Sequence, residues 1–265
     1  MTSAEPELDD VLLHGELTVQ GRLVDASNAT LLCNATLGDV TLQCIYKPSA
    51  GERPLWDFPN NDLAEREVAT HLLDTLLGWN LTPRTLLRDE GPYGRGMVQE
   101  FIDIAADVDC VDVVSPGQVP DGWLTVLEAR DGDDNPVLLI HADRPELQRL
   151  AVLDAIANNG DRKGGHVLVA TDGRVYGIDH GVTWHQDDKL RTVLWGWVET
   201  PLPDDLAADV RGLLDRWSVE AGPALEALLP ADDVGAALVR AVTLLERGTF
   251  PLPSTDWPAI PWPVF

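Results

Sequence analysis

Apolar and polar residues alternate early in the chain, which predicts an antiparallel sheet of three strands. The alternation runs over 17–24, 30–34 and 40–47, and short polar turns separate the three runs. A period of two residues is typical of strands with one buried face. Residues 1–14 precede this pattern, and we expect them to form a flexible lead-in, which can include a short helix.

After residue 60 the apolar residues recur at intervals of three and four, which predicts a helix from a cap at 61–62 to about residue 77. The apolar positions of this helix are Leu63, Val68, Leu72, Leu73 and Leu76. A turn leading into a strand is predicted at 79–88, and a further strand at 97–102.

The second half of the chain has mainly helical patterns. An acidic linker at 103–112 and a Pro- and Gly-rich segment at 113–135 come first, and we expect the second of these to be irregular, as an insertion or a lid. Helices are predicted at 145–158, 203–217, 220–229 and 233–248. The tail at 250–265 is rich in Pro and Trp and cannot be helical. We expect it to pack as an extended strap or to bind a partner protein.

A polar loop and a hairpin follow the first of these helices. The loop begins at Asp161, the hairpin has strands at 167–170 and 175–178 around an Asp-Gly turn, and Asp179 comes directly after it. Because a hairpin returns to its starting end, we expect Asp161 and Asp179 to lie close together. Two carboxylates beside a Gly-rich loop suit a Mg²⁺–phosphate site, and protein kinases have the same succession of Asp, hairpin and metal-binding Asp. A solvated Asp-rich turn is the alternative for either residue alone.

A lysine and a glutamate upstream fit the same chemistry. Lys47 ends the third predicted strand, in a chain with only three lysines, and Glu67 lies in the early turns of the following helix. Protein kinases hold a strand lysine against the ATP phosphates with a helix glutamate. A strand-end lysine that reaches solvent and an exposed glutamate are the alternatives.

Two other segments are candidates for contact with a nucleotide. The turn that contains Ser27, Asn28 and Thr30 is small and polar, so its backbone N–H groups could hold phosphate, although an ordinary β-turn has the same composition. The strand before the acidic linker is the candidate adenine-binding hinge, or else a plain core strand. Its candidate residues are Gln99, Glu100 and Phe101.

In this order the parts resemble the phosphoinositide 3-/4-kinase-like branch of the protein-kinase fold. The local motifs are Glu-x-Ala-x-x-Leu-Leu-Asp at 67–74, Asn-x-Asp-Arg at 159–162 and Ile-Asp-x-Gly at 178–181. They are similar to motifs of type II phosphatidylinositol 4-kinases and of bacterial HipA-type kinases. Over about 15–250 the chain resembles an actinobacterial family grouped with these kinases.

The resemblance implies an α+β, two-lobed protein-kinase-like fold. An antiparallel sheet and a helix would form the N-terminal lobe at 15–102, and a mainly helical C-terminal lobe at 103–249 would carry the catalytic hairpin, followed by the tail at 250–265. ATP and Mg²⁺ or Mn²⁺ would bind between the lobes. Lys47, held by Glu67, would orient the phosphates.

The resemblance also implies roles for the loop and hairpin residues. Asp161 would orient or deprotonate an acceptor hydroxyl, in a catalytic loop that includes Arg162 and Lys163. Asp179 would bind the metal, with help from His166. These kinases have a metal-binding Asn where this chain has His166, and imidazole suits Mn²⁺ better than Mg²⁺.

Four functions are therefore compatible with the sequence. The first is an ATP-dependent phosphotransferase acting on a hydroxyl group. The second is a nucleotide-binding pseudokinase or scaffold, which the His in place of Asn favours. The third is an enzyme that transfers AMP on the same fold. The fourth is a non-catalytic metal-binding domain, which would not respond to a nucleotide.

The charge of the chain narrows the range of partners. It has 44 acidic and 19 basic residues and a formal net charge of −25 at pH 7, which argues against nucleic acid and anionic membranes as partners. We expect a small polar metabolite or a protein hydroxyl as acceptor rather than a lipid. The three cysteines lack metal-ligand spacing, no apolar run reaches the roughly 18–20 residues of a membrane span, and the acidic N-terminus is unlike a signal peptide. We therefore expect a cytoplasmic protein.

Overall fold

A computed structural model describes residues 7–23, 29–53, 55–60 and 62–265. The described chain is a mixed α/β structure with six α-helices and antiparallel sheets of five, three and two strands. Its largest apolar core lies among the helices, and a second core lies under the five-stranded sheet.

The five-stranded sheet contains all the strands predicted before residue 102. In chain order they are β1 (Glu16–Arg22), β2 (Leu31–Leu37), β3 (Val40–Pro48), β4 (Thr85–Arg88) and β5 (Gly96–Glu100). Their order in the sheet is β1-β2-β3-β5-β4, so β5 is an interior strand. Lys47 is the next-to-last residue of β3 and lies opposite Met97 of β5.

The described residues of the predicted lead-in form a short helix that packs under the first sheet. Helix α1 (Leu8–His14) buries Val11 and Leu12 completely under the sheet. The Arg88 guanidinium of β4 donates to the carbonyl oxygens of Leu12 and Gly15, at 2.8 Å each. Only two apolar side chains of α1 are fully buried, which is too few for a clear helical period in the sequence.

Helix α2 (Leu63–Leu77) follows the sheet and confirms the predicted helix. Its first two N–H groups, those of Leu63 and Ala64, donate to the Glu52 carboxylate at 3.2 and 3.0 Å. A carboxylate at a helix N-terminus satisfies free N–H groups and complements the helix dipole. The helix ends at Gly78, whose φ of 74° favours glycine.

The segment predicted as an irregular insertion instead forms a sheet. Strands β6 (Val111–Val114), β7 (Trp123–Arg130) and β8 (Pro136–Ala142) pair antiparallel in the order β6-β8-β7. Most of β7 is exposed, so it lacks the alternation that marks a half-buried strand. The Pro and Gly residues lie in the turns or at the first position of β8, where Pro is tolerated.

The rest of the chain is mainly helical, as predicted. Helix α3 (Pro145–Ala157) is buried along almost its whole length. It is followed by the hairpin of β9 (Val167–Val169) and β10 (Val175–Gly177), and then by α4 (Asp204–Asp215), α5 (Gly222–Glu226) and α6 (Ala231–Arg247). Residues 251–265 contain no helix or strand and run along the surface of this part. None of the helices in the described ranges is long and apolar enough to cross a membrane.

Candidate active site

Lys47 lies between two carboxylates that come from distant parts of the chain. Its Nζ is 2.6 Å from Glu67 Oε1 of α2 and 2.8 Å from Asp179 Oδ1, which follows β10. Glu67 is buried, whereas the Asp179 side chain is 43% exposed. The strand lysine, the helix glutamate and the aspartate of Asp-His-Gly therefore meet at one point.

The three charges of this cluster stabilise one another. Burial alone would lower the pKa of Lys47, but the Asp179 and Glu67 carboxylates raise this pKa above its ordinary value. The Lys47 ammonium holds the pKa of Asp179 well below its usual range, although burial opposes it. Burial raises the pKa of Glu67, and Lys47 counteracts this effect. Near neutral pH the cluster holds a protonated lysine and an ionised Asp179.

Asp179 also contacts His166, and its backbone is in an unusual conformation. His166 Nε2 is 3.3 Å from Asp179 Oδ2. Burial lowers the pKa of His166 even though Asp179 acts in the opposite direction, so the imidazole is neutral at pH 7. Asp179 has a φ of 59°, in the left-handed region that Asp and Asn tolerate better than most residues. Strained backbone of this kind is concentrated at functional sites.

Asp161 lines the same cleft as Lys47 and Asp179. Its carboxylate is partly exposed and lies 3.1 Å from Lys163 Nζ, and its N–H donates to Asn159 Oδ1 at 2.9 Å. The structure thus brings Asp161 and Asp179 to one cleft, as the hairpin geometry predicts, and places Lys163 beside Asp161. Asp161 is placed to accept a proton or a hydrogen bond from a group entering the cleft.

Arg162 does not reach the cleft, and its assignment as a catalytic residue is wrong. Its side chain is fully buried and forms a bidentate pair with Asp154 of α3, at 2.7 and 2.9 Å. The guanidinium also donates to Ile178 O at 2.8 Å and lies 2.6 Å from His180 Nε2. Arg162 is therefore a positioning residue that fixes the Asp161 loop against the hairpin.

A buried polar network supports both aspartates from behind. Asp154 accepts from Arg162 and, at 2.9 Å, from Asn159 Nδ2, so this buried carboxylate of α3 has a structural role. Burial lowers the pKa of His180 well below its ordinary value, so His180 is neutral and its Nε2 accepts the hydrogen bond from Arg162. The residues that flank Asp161 and Asp179 therefore belong to one network.

The predicted phosphate-binding turn is described only in part. Ser27 and Asn28 lie outside the described residues. Thr30 is buried and its carbonyl oxygen accepts from Leu23 N–H at 3.0 Å, so it closes the turn. The neighbouring Ala29 lines the cleft with Lys47.

The predicted hinge residues lie away from the cleft lining. Gln99 is buried in the interior strand β5 and donates through Nε2 to Thr85 Oγ1 at 2.8 Å. The N–H of Glu100 donates to Arg84 O and the N–H of Phe101 donates to Gln43 O, at 2.8 and 3.2 Å. Two backbone donors of the predicted hinge are therefore bonded within the protein, and a contact between this segment and an adenine stays a prediction.

The donor set of the cleft fits a metal that is shared with a phosphate. Within the described ranges, no group of three or more His, Cys, Asp or Glu side chains is placed to hold a metal ion. Mg²⁺ is commonly held by one or two carboxylates together with substrate phosphates. Asp161 and Asp179, which both line the cleft, provide such carboxylates. His166 contacts Asp179 through Nε2, and its buried Nδ1 has no hydrogen-bond partner among the described atoms.

Some residues of the site were not found from the sequence. Glu52 caps α2 and lines the cleft, but a single glutamate in a Pro-rich loop carries no pattern. His180 is the variable position of Asp-x-Gly, so the motif itself says nothing about it. Both acquire a role only through the three-dimensional contacts.

Comparison with known proteins places the chain in a family. A scan against protein-family models finds no match. The chain is 47% identical over 264 residues to protein Rv2133c of Mycobacterium tuberculosis, and the match covers 96% of this chain and 94% of the relative. This chain belongs to the Rv2133c family. Among solved structures, the Helicobacter pylori proinflammatory kinase CtkA has a TM-score of 0.43 and 12% identity, and the match covers 88% of this chain and 98% of CtkA. At that TM-score the likeness is too weak to support a function for the Rv2133c family.

Proposed function

We propose that this member of the Rv2133c family is an ATP-dependent phosphotransferase with a two-lobed, protein-kinase-like arrangement. The observation that supports the proposal is the position of Lys47 Nζ, which contacts both Glu67 and Asp179 in a cleft that Asp161 also lines. Protein kinases use a strand lysine paired with a helix glutamate, a metal-binding aspartate and a catalytic-loop aspartate. An ion pair with a purely structural role needs only Lys47 and the buried Glu67, whereas the second partner, Asp179, is partly exposed to the cleft.

Each residue of the cleft has a distinct role in this proposal. Lys47, oriented by Glu67, binds the α- and β-phosphates of ATP. Asp179, with His166, holds Mg²⁺ or Mn²⁺, which neutralises charge on the phosphates when bound. Asp161 orients the acceptor hydroxyl and accepts its proton, and Lys163 fixes the Asp161 carboxylate. Catalysis of this kind rests on positioning and on charge neutralisation.

We propose a small polar metabolite or a protein hydroxyl as the acceptor. The support is the charge of the chain: a net charge of −25 repels anionic lipid surfaces. A cytoplasmic location agrees with this choice of acceptor.

Nucleotide binding without turnover is the second candidate function. It is favoured by the contact between His166 Nε2 and Asp179 Oδ2, because a neutral imidazole stands where kinases have a metal-binding Asn. A site with one weakened metal position would still bind nucleotide.

Thermal unfolding with ATP and Mn²⁺, combined with mass spectrometry of the products, tests the proposal. We expect ATP with Mn²⁺ to raise the Tm of the wild type, because a ligand that binds only the folded state stabilises it. Lys47→Met should abolish this rise, whereas Arg174→Met on the exposed hairpin turn should retain it. A product heavier by a phosphoryl group supports phosphotransfer, an adenylyl gain supports AMP transfer, and a Tm rise without product supports the second candidate. No Tm rise in the wild type contradicts both.

A further inference from the structure

The C-terminal strap, which we define as residues 257–265, binds to the segments that surround Asp161. It is attached at three places, although it contains no helix or strand. Each attachment involves a segment next to the candidate active site, so the strap is more than a cover for the helical core.

The first attachment is to the strand-like segment beside the Asp161 loop. Ala259 O accepts from the N–H of Thr192 at 3.0 Å and from Trp195 Nε1 at 2.9 Å. Thr192 is itself paired with Arg162 in a parallel bridge, and Val193 N–H donates to Arg162 O at 3.1 Å. The strap is thus the next layer outward from the Asp161 loop.

The second attachment is to the loop itself. The N–H of Gly164 donates to Val264 O at 2.8 Å, and the Phe265 ring packs directly on the Gly164 Cα. A Cβ at position 164 would collide with the Phe265 ring, so this contact requires glycine. Gly164 is adjacent to Lys163, which pairs with Asp161.

The third attachment links the strap to the segment before α2. Trp257 and Trp56 stack with ring centroids 6.5 Å apart, and Lys189 Nζ lies 4.9 Å from each centroid. Lys189 Nζ also contacts Asp57 at 2.8 Å. The segment that carries Trp56 and Asp57 runs directly into α2, the helix of Glu67.

We propose that the C-terminal strap positions the Asp161 loop for catalysis, and that Phe265 is a positioning residue. This inference rests on the proposed phosphotransfer. Val264 and Phe265 contact the loop at Gly164. Ala259 contacts Thr192, which pairs with Arg162 of the same loop.

Arg162 anchors one part of the loop, but without the strap the part that contains Gly164 and Gly165 gains freedom, because glycine has few backbone restrictions. Lys163, which pairs with Asp161, lies between these two parts. Asp161 would then be displaced from the acceptor hydroxyl.

The chain offers a matched control for this proposal. Phe265 is about half exposed and packs on Gly164 rather than in an apolar core, so its truncation should leave the core folded. Trp262 is in the same strap, but its side chain is 86% exposed. We therefore compare Phe265→Ala and a deletion of residues 264–265 with Trp262→Ala, in full-length protein with any tag at the N-terminus.

Hydrogen exchange tests the contact independently of activity. We expect the Gly164 amide to exchange at least ten times faster in the 264–265 deletion than in the wild type, because its acceptor is Val264 O. Trp262→Ala should leave this rate unchanged. An unaltered rate at Gly164 in the deletion would overturn the proposal, even if no variant transfers phosphate.

Turnover kinetics test the positioning role. We expect Phe265→Ala to lower kcat at least tenfold while the KM for ATP stays within twofold, and Phe265→Leu to restore most of the loss. Gly164→Ala should lower kcat in the same way. The double variant Phe265→Ala/Gly164→Ala should lower kcat little more than either single variant, because both changes break the same contact. Fully additive losses, or an equal loss in Trp262→Ala, would contradict the positioning role. If the wild type shows no turnover, the proposed function is contradicted. The hydrogen-exchange rate at Gly164 then still tests the contact between the strap and the loop.

Discussion

At the scale of single residues, the site depends on one lysine that neutralises two carboxylates. Lys47 Nζ is within 2.8 Å of both Glu67 and Asp179, and Glu67 has almost no contact with solvent. A buried carboxylate that loses its partner keeps the desolvation cost without the compensating attraction. The stability of α2 against the sheet is therefore linked to the same atoms that would bind phosphate.

Removal of Lys47 should destabilise the fold, and removal of the Glu67 charge should reverse part of that effect. We expect Lys47→Met to lower the free energy of unfolding by about 2–4 kcal/mol, somewhat less than for a completely buried pair because Lys47 has partial access to solvent. The double variant Lys47→Met/Glu67→Gln should be more stable than Lys47→Met alone. Urea unfolding measures both, and a double variant that is less stable than Lys47→Met would contradict the ion-pair account.

His71 should make the protein less stable in acid. Burial lowers its pKa from the ordinary 6.5 to about 4, and its Nδ1 lies 2.7 Å from Thr82 Oγ1. Below pH 6.5 the unfolded chain therefore binds a proton that the folded chain does not, so the stability from His71 is complete above pH 6.5 and is lost as the pH falls towards 4.

The urea midpoint should fall between pH 7 and pH 5, and His71→Gln should reduce this fall. The glutamine amide has no charge to gain in this range. The same slope in the wild type and in His71→Gln would show that other groups cause the acid sensitivity.

At the scale of elements, the sequence predicts the pieces that bury a regular apolar face. Helices α2 and α3, strands β2 to β5 and the hairpin of β9 and β10 bury or half-bury apolar side chains, and all were predicted near their observed limits. Strand β1 was predicted from its alternation, although Leu17 is its one buried residue. The β6-β8-β7 sheet was not predicted, because β7 is largely exposed, and α1 was anticipated only as a short helix without limits. Local periodicity depends on burial, so elements with little burial leave little pattern.

The same limit explains which parts of the site were predicted. Lys47, Glu67, Asp161 and Asp179 stand in a fixed order along the chain, and the return of a hairpin brings the two aspartates together. The Arg162 side chain points away from the cleft because it pairs with Asp154 of α3. A local sequence pattern does not show this contact between two elements. The N–H groups of the hinge candidates Glu100 and Phe101 are bonded to neighbouring segments, which follows from the order of strands in the sheet and not from a local pattern.

The buried ion pair between Asp154 of α3 and Arg162 should stabilise the folded protein more than a surface ion pair does. Asp154→Asn leaves the fully buried Arg162 guanidinium without a charged partner, so we expect a loss of about 3–5 kcal/mol in the free energy of unfolding. Asp205→Asn breaks the exposed pair with Arg149 and should cost no more than about 1 kcal/mol. Chemical unfolding of both variants checks the prediction, and equal losses would contradict it.

At the scale of the whole molecule, distant segments meet at the cleft and the chain carries a large excess of negative charge. The sheet, α2, the Asp161 loop and the end of the hairpin each supply cleft residues. The chain has 44 acidic and only 19 basic residues, so its carboxylates repel one another in the folded state. A compact fold under such repulsion should respond to salt.

Salt should stabilise the molecule. Raising NaCl from 50 mM to 500 mM shortens the range of electrostatic interactions, so the repulsion among surface carboxylates decreases while the buried Lys47 pairs are little affected. We expect the Tm to rise by several degrees, with KCl giving the same rise as NaCl. A fall in Tm with both salts would mean that attractive surface pairs outweigh the repulsion.

The central claim is that the Lys47, Glu67, Asp161 and Asp179 side chains transfer phosphate with the help of a divalent metal. Its most direct test is the rate of ADP formation from ATP and Mn²⁺ or Mg²⁺ in Asp179→Asn, with Asp172→Asn as control. Asn retains the left-handed backbone of Asp179, and Asp172 lies on the exposed turn of the same hairpin. The account predicts a loss of at least about 100-fold in Asp179→Asn and no change in Asp172→Asn. Metal-dependent turnover that persists in Asp179→Asn at the wild-type rate would contradict it.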